Sequence, residues 1–339
     1  MPVEKLARQE EARAGVAAPL QRASAYGVWL LLLAFVLVPF VVPRTMLLAQ
    51  IVIFALFAIA FDLLFGHTGI LSFGHAAYLG VGAYTAALFV TYAPVDSMLL
   101  TLAAVLVVSA ALAALIGFFS IQLRGIYLAM VTLAFAQVLF FIANQVETLT
   151  GGEDGLPFWR PALLGWDMND NLAFYFFVLA VFAVSFAFLH RLVRTPFGSV
   201  LHAIRENEER ARMVGYNTQV YKLCCFVISG ALSGLAGGLF AMLLRFSYLD
   251  LLYWTTSGDV VMMTLIGGMG SLFGPVLGAA FMLTLQDLFS AYWDRWRLIV
   301  GVIFILVVLF LKGGIWQGLQ LLAGRLGRPQ EAESAAVAD

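Results

Sequence analysis

The chain has 339 residues, 62% of them hydrophobic and 12% charged, with 19 basic and 20 acidic side chains. A soluble chain carries about 25% Asp, Glu, Lys and Arg, so the charges here are too few to coat a globule. That excludes an ordinary soluble enzyme, a disordered chain and a nucleic-acid module.

A membrane-spanning helix needs about 20 mostly apolar residues. Runs without Asp, Glu, Lys or Arg cover 23–43, 45–61, 63–95, 97–123, 125–146, 171–190, 223–244, 260–286 and 298–311. The tail 1–25 carries Lys5, Arg8, Arg13 and Arg22 and is expected in the cytoplasm, because basic loops stay inside. The first run then reads as a retained helix over 26–43, since polar or mixed residues precede it and another span follows closely. Spans over 47–65, the run ending at 95, 97–121 and 125–146 bring the chain to 147–170. That loop holds Arg160 against Glu147, Glu153, Asp154, Asp167 and Asp170 and is expected outside. The span 172–192 returns to a basic segment, 193–222, and 223–245 leaves again. For the tail 317–339, with Arg325 and Arg328 following Lys312, to end inside after a span at 298–316, residues 259–290 must enter and leave on the outer side. The expected fold is therefore all-α and polytopic. It has about eight full transmembrane helices plus a re-entrant hairpin, eight to ten segments in all, with both termini cytoplasmic and 26–316 as the membrane domain.

Two glycine-rich interruptions sit in the two halves. One runs from Gly66 to His75 and includes Ser72 and Gly74. The other runs from Gly267 through Gly270 to Pro275, just after Thr264. Paired breaks of this kind mark translocation paths, because unwound backbone at membrane depth survives only where protein or a water-filled cavity satisfies it. The plainer reading is close helix approach at small residues. The path candidates are Ser72, Gly74, His75, Thr264, Gly267 and Gly270.

In the basic segment, Pro196 and Gly198 break the preceding span, Ser199 is a candidate N-cap, and Gly215 suits a C′ position. Between them Arg205–Glu209, Glu206–Arg210 and Glu208–Arg212 are opposite-charge pairs four apart. Val200, Leu201, Ile204 and Ala211 line the other side. A short amphipathic surface helix follows, either a solvated connector or a docking helix for a cytoplasmic partner.

Cys224 and Cys225 are adjacent, which disfavours a disulfide between them; both read as small buried residues. Asp62, His67, His75, Asp259 and Asp287 are the ionisable groups within the spans. Their spacing makes no metal set, and no nucleophile constellation marks a catalytic site. No GxxxxGK[ST] phosphate loop occurs, so any ATP must be bound by another chain and no cofactor is expected on this one.

The run Leu64-Phe65-Gly66-His67-Thr68-Gly69-Ile70-Leu71-Ser72-Phe73-Gly74-His75 through Tyr84 resembles the signature of the branched-chain amino-acid ABC transporter permeases, LivM type. Further stretches that resemble the family begin at Arg124, Thr150, Ala203 and Leu265, so the likeness covers about residues 26–316. It implies a non-enzymatic permease subunit in a bacterial inner membrane. Its partners would be a LivH-type permease, two cytoplasmic ATPase subunits that bind ATP, and a periplasmic binding protein that delivers branched-chain or hydrophobic amino acids. The segment around Arg205, Glu206, Glu208 and Glu209 matches the region expected to couple to the ATPase. The family's urea and short-chain amide branch is the nearest competitor. A reading from a different class is a stand-alone secondary transporter or channel.

Overall fold

A computed structural model describes residues 33–40, 44–93, 96–163, 165–166, 168–292, 295–311 and 313–326, the last six of these without side chains. The expected tail 1–25, the first part of the 26–43 span and residues 327–339 lie outside the described residues. Residues 33–40 are helical.

From residue 45 onward nearly every described element is helical, as the long apolar runs demand. The elements are α1 Thr45–Asp62, continued by a wider π-helical turn over Leu63–His67, α2 His75–Tyr92, α3 Met98–Ser120, α4 Ile126–Gln145, α5 Asn171–Val193 and α6 Pro196–Met213. They are followed by α7 Thr218–Leu244, α8 Trp254–Gly267, α9 Phe273–Ser290, α10 Trp296–Phe310 and α11 Gly314–Leu326. Six helices among the described residues are long and apolar enough to cross a membrane: Thr45–His67, α3, α4, α5, α7 and α9. A seventh forms if α10 and the start of α11, bent by 48°, make one span. The chain is thus a polytopic all-α membrane protein. The match to the expected spans is partial. The expected 298–316 span qualifies only as the bent pair, and α9, one arm of the expected re-entrant hairpin, is itself long and apolar enough to cross. α2 has the length of a span but is not among these six.

The reason is where α2 sits. Its polar residues meet protein, because α7 packs along both α2 and α3 and encloses it. Close approach depends on glycine: a Cβ on Gly82 would run into the Gly234 backbone, and one on Gly237 into the Leu79 carbonyl. α1 is buried on nearly every side, the burial expected of a helix apolar all round.

The links between turns separate two ends of the bundle. At one end, the 156–157 strand pairs antiparallel with 246–247, Leu156 opposite Ser247. Beside it Met98 N donates to Ala162 O and Phe158 N to Arg245 O. Arg160 is buried there and donates to the carbonyls of Met242, Leu243 and Met168, with its guanidinium 3.9 Å from the Phe174 ring centroid. It thereby satisfies acceptors left open at the end of α7. At the other end lie the α1–α2 turn, the α3–α4 turn, α6 and the α8–α9 turn.

Helices α8 and α9 run antiparallel, with Gly274 against Gly267 and Gly278 against Met263. At 1.5 Å per residue, the 14 residues of α8 rise about 21 Å, short of the roughly 30 Å of a hydrocarbon core.

Candidate functional site

The feature that joins the sequence motifs is α6. It starts at Pro196, a favoured first-turn position, with Thr195 before it; Ser199 therefore lies inside the helix and not at its cap. Gly215 at φ +102° follows its end, and Gly215 N donates to Arg212 O, as the C′ reading expected. The four apolar positions Val200, Leu201, Ile204 and Ala211 are all buried.

The helix is not continuous. Asn207 has φ −161° and ψ 100°, and its side-chain oxygen accepts Arg210 N at 2.9 Å, capping a second short segment. Asn competes for backbone donors through its own side chain, and that competition splits α6 at this residue. The break alters the expected charge pattern. Of the three pairs four apart, Glu208–Arg212 forms, at 3.1 Å, while Glu209 reaches Arg124 at 3.4 Å. Glu206 lies on the exposed face near His202, 3.9 Å away.

Glu208 turns inward and, besides Arg212 of its own helix, gathers two cations from other elements. Its Oε2 lies 2.6 Å from Lys222 Nζ on α7 and 3.8 Å from Arg124 Nε at the start of α4, while its Oε1 accepts Thr218 Oγ1 at 3.3 Å. Burial pushes the Glu208 carboxyl up, but the Lys222 hydrogen bond and charge, helped by Arg124 and Thr218, outweigh it and hold the group below its ordinary 4.5. Sequence spacing alone does not reveal the Lys222 partnership. The available signal was that Lys222 is the one lysine between Lys5 and Lys312 and opens an apolar run.

On the other limb of α6, Arg205 Nη1 donates to Gly66 O. Gly66 sits in the first break. Asp62, fully buried one turn earlier, accepts Gly270 N of the second break on Oδ1 at 2.8 Å. Gly270 has φ +79°, a conformation that favours glycine, and a Cβ on Gly66 would strike the Asp62 carboxylate and Gly270 N. The two glycine-rich breaks therefore touch each other directly beneath Arg205. Asp62 stood out in the sequence only as an ionisable residue.

The other path candidates lie within packed protein. Ser72 Oγ accepts Gly74 N at 3.2 Å, just before α2. His75 is fully buried, edge-on to Phe61 and Tyr78, with Nε2 2.9 Å from Ser229 Oγ. Ser229 gives its one proton to Ala60 O at 2.5 Å, so it accepts from His75 and places that proton on Nε2. Thr264 Oγ1 donates back to Val260 O within α8, and Gly267 lies against Gly274. Among these six, Gly270 lies against Arg205 of α6. A cleft of about 550 Å³ opens beside the site, between the first break (Thr68, Leu71), the start of α4 (Arg124, Ile126) and α6 (Arg205, Glu208). Cys225 is buried against Thr68, but Cys224 is exposed, against expectation. Among the described residues no group of His, Cys, Asp or Glu is arranged to hold a metal ion.

The branched-chain amino acid transport system / permease component family matches residues 44–309. The high-affinity branched-chain amino acid transport system permease protein LivM of Escherichia coli is 30% identical over 311 residues, covering 82% of this chain and 71% of its own. Its Salmonella typhimurium namesake is 29% identical with the same coverage. The high-affinity branched-chain amino acid transport system permease protein BraD of Pseudomonas aeruginosa is 24% identical over 82% of this chain and 92% of its own. No solved structure matches. A match over most of the chain, on a polytopic helical bundle, places this protein in the branched-chain amino acid transport permease family of ABC transport systems.

Proposed function

We propose that this chain is one of two membrane subunits of an ABC importer in a bacterial inner membrane, taking up branched-chain or other hydrophobic amino acids from a periplasmic binding protein. A LivH-type permease would be its partner, and two cytoplasmic ATPase subunits would bind the ATP. The observation that carries this reading is α6, a split polar helix with one limb on the two membrane breaks and the other on Lys222 and Arg124. Its outer face, with Glu206, Glu209 and the exposed Met213 and Val214, offers charge and an apolar ridge to an ATPase groove. Arg205 and Glu208 would carry movement of that face into the bundle, and the path would run beside the breaks that hold Ser72, Gly74, His75, Thr264, Gly267 and Gly270.

For topology, the α6 end is cytoplasmic and the Arg160 end periplasmic. The hairpin α8–α9 would enter from outside and turn at Gly268–Leu272, giving eight full crossings plus a re-entrant pair; the short α8 is what supports this reading. A single cysteine replacing Ser271, in a chain without Cys224 and Cys225, should react with a membrane-impermeant maleimide only from the cytoplasmic side. Reaction from outside alone would sink this arrangement.

The function is tested by gentle purification of the tagged chain with its partners, then measuring ATP hydrolysis with the binding protein loaded with leucine or with urea. Stimulation by leucine supports the reading. Stimulation by urea alone assigns the amide branch. Recovery of the chain alone, with gradient-driven flux in liposomes, would replace it with a secondary transporter.

A further inference from the structure

We infer that Asp62 and Arg205 form a clasp that joins the two glycine-rich turns into one gate, moved as a unit by α6. The inference rests on the ABC importer reading.

The contacts form a closed chain. Arg205, carried on α6, donates to Gly66 O in the first turn. Gly66 packs on Gly270 N in the second turn, with no room for a side chain between them. Gly270 N is held by Asp62 Oδ1 at 2.8 Å, and Asp62 lies on the helix that leads into the first turn. Two halves of the chain more than 200 residues apart thus meet through one buried carboxylate and one guanidinium.

The energetics favour joint movement. A buried carboxyl group that loses its hydrogen-bond partner is left unsatisfied away from water, which is costly. If the second turn withdrew alone, Asp62 would lose the Gly270 amide and remain buried, and an unmade buried bond costs more than a made one contributes. If α6 withdrew, Gly66 O would lose the guanidinium and Asp62 its nearby positive charge. The lower-energy motion keeps all four groups together. Displacement of α6 then shifts both turns at once, and neither turn opens independently of α6.

The test uses the complete transporter in proteoliposomes, with leucine as the transported probe, and reads leucine taken up per ATP hydrolysed. Arg205→Ala and Asp62→Ala should each lower that ratio at least five-fold, while ATP hydrolysis continues. Arg205→Lys keeps a donor for Gly66 O, and Asp62→Asn keeps an acceptor for Gly270 N; both should retain at least half of the ratio. The double alanine variant should be no worse than either single, because parts of one unit are not additive. A ratio for Arg205→Ala within two-fold of wild type, or a double variant that loses the product of the singles, would overturn the clasp. Should Asp62→Ala fail to assemble, Arg205→Ala and Arg205→Lys still decide, since Arg205 is itself an exposed residue. A wild-type chain that recruits no ATPase would sink the importer reading. A coupled wild type with an equally coupled Arg205→Ala would sink only the clasp.

Discussion

Removing the Glu208 carboxylate strands a buried cation. The Lys222 side chain is 5% exposed and that of Glu208 17%, with 2.6 Å between Nζ and Oε2. Breaking one side of a buried ion pair costs about 3–5 kcal/mol. The low end, about 3 kcal/mol, applies because Glu208 keeps some contact with water and the Lys222 stem can lift its ammonium toward the membrane surface. For chains of 150–250 residues each kcal/mol moves the melting temperature by about 2–4 °C, and by less for longer ones; Glu208→Gln should therefore melt about 4 °C below wild type in detergent. Replacing both partners, Glu208→Gln with Lys222→Met, should recover most of that loss, since an apolar pair in place of a buried ion pair is often neutral. The pH dependence has a fixed sign. A carboxyl held low in the native state contributes stability that is present above its ordinary value and is lost as pH falls through the native value. The wild-type advantage over Glu208→Gln should thus be full near neutral pH and shrink as pH falls below the ordinary 4.5. A Glu208→Gln protein that melts with wild type, or a double variant as unstable as the single, would refute the reasoning.

Arg160→Ala removes a side chain that donates to three buried carbonyls; protease should then cut within 147–170 at least ten times faster, with α6 unaffected. Ser229→Ala leaves the His75 Nε2 proton without its acceptor in a fully buried site, a loss of about 1–3 kcal/mol, read as lower thermal stability that a His75→Phe second change partly restores. Asn207→Ala favours a continuous α6 and should lower the stimulation of ATP hydrolysis by loaded binding protein several-fold without lowering the melting temperature. Gly82→Val forces α2 away from the Gly234 backbone and should prevent stable accumulation in the membrane.

Most of the helices were legible because they are long apolar runs, and the two breaks because glycine clusters stand out among Leu, Val and Phe. The apolar side of α6 was readable from spacing, and all four positions are buried. Its charged side was not. The pair pattern assumed an unbroken helix, and Asn207 looked like any polar surface residue until its side chain was seen to cap Arg210. Two of the contacts that define the site, Asp62 to Gly270 and Glu208 to Lys222, link residues on different elements, and no periodicity encodes which elements meet. Lys222 and Asp62 each look like an unremarkable end of a span in isolation. Likewise Arg160 read as one cation in an acidic loop, whereas it is buried against the end of α7.

The enclosure of α2 bears on how the protein is made. This helix carries His75, Thr85, Thr91 and three tyrosines, and it is not among the six helices apolar enough to cross a membrane by themselves. Its principal neighbour, α7, begins more than 100 residues later. At about 5–20 residues per second of synthesis, the ribosome delivers the start of α7 roughly 6 to 25 s after α2 is complete. During that interval α2 must shelter against α1, against α3 or within the insertion machinery instead of dispersing into lipid. Assembly is then ordered in time: the early helices wait as a loose hairpin, and the arrival of α7 seals them.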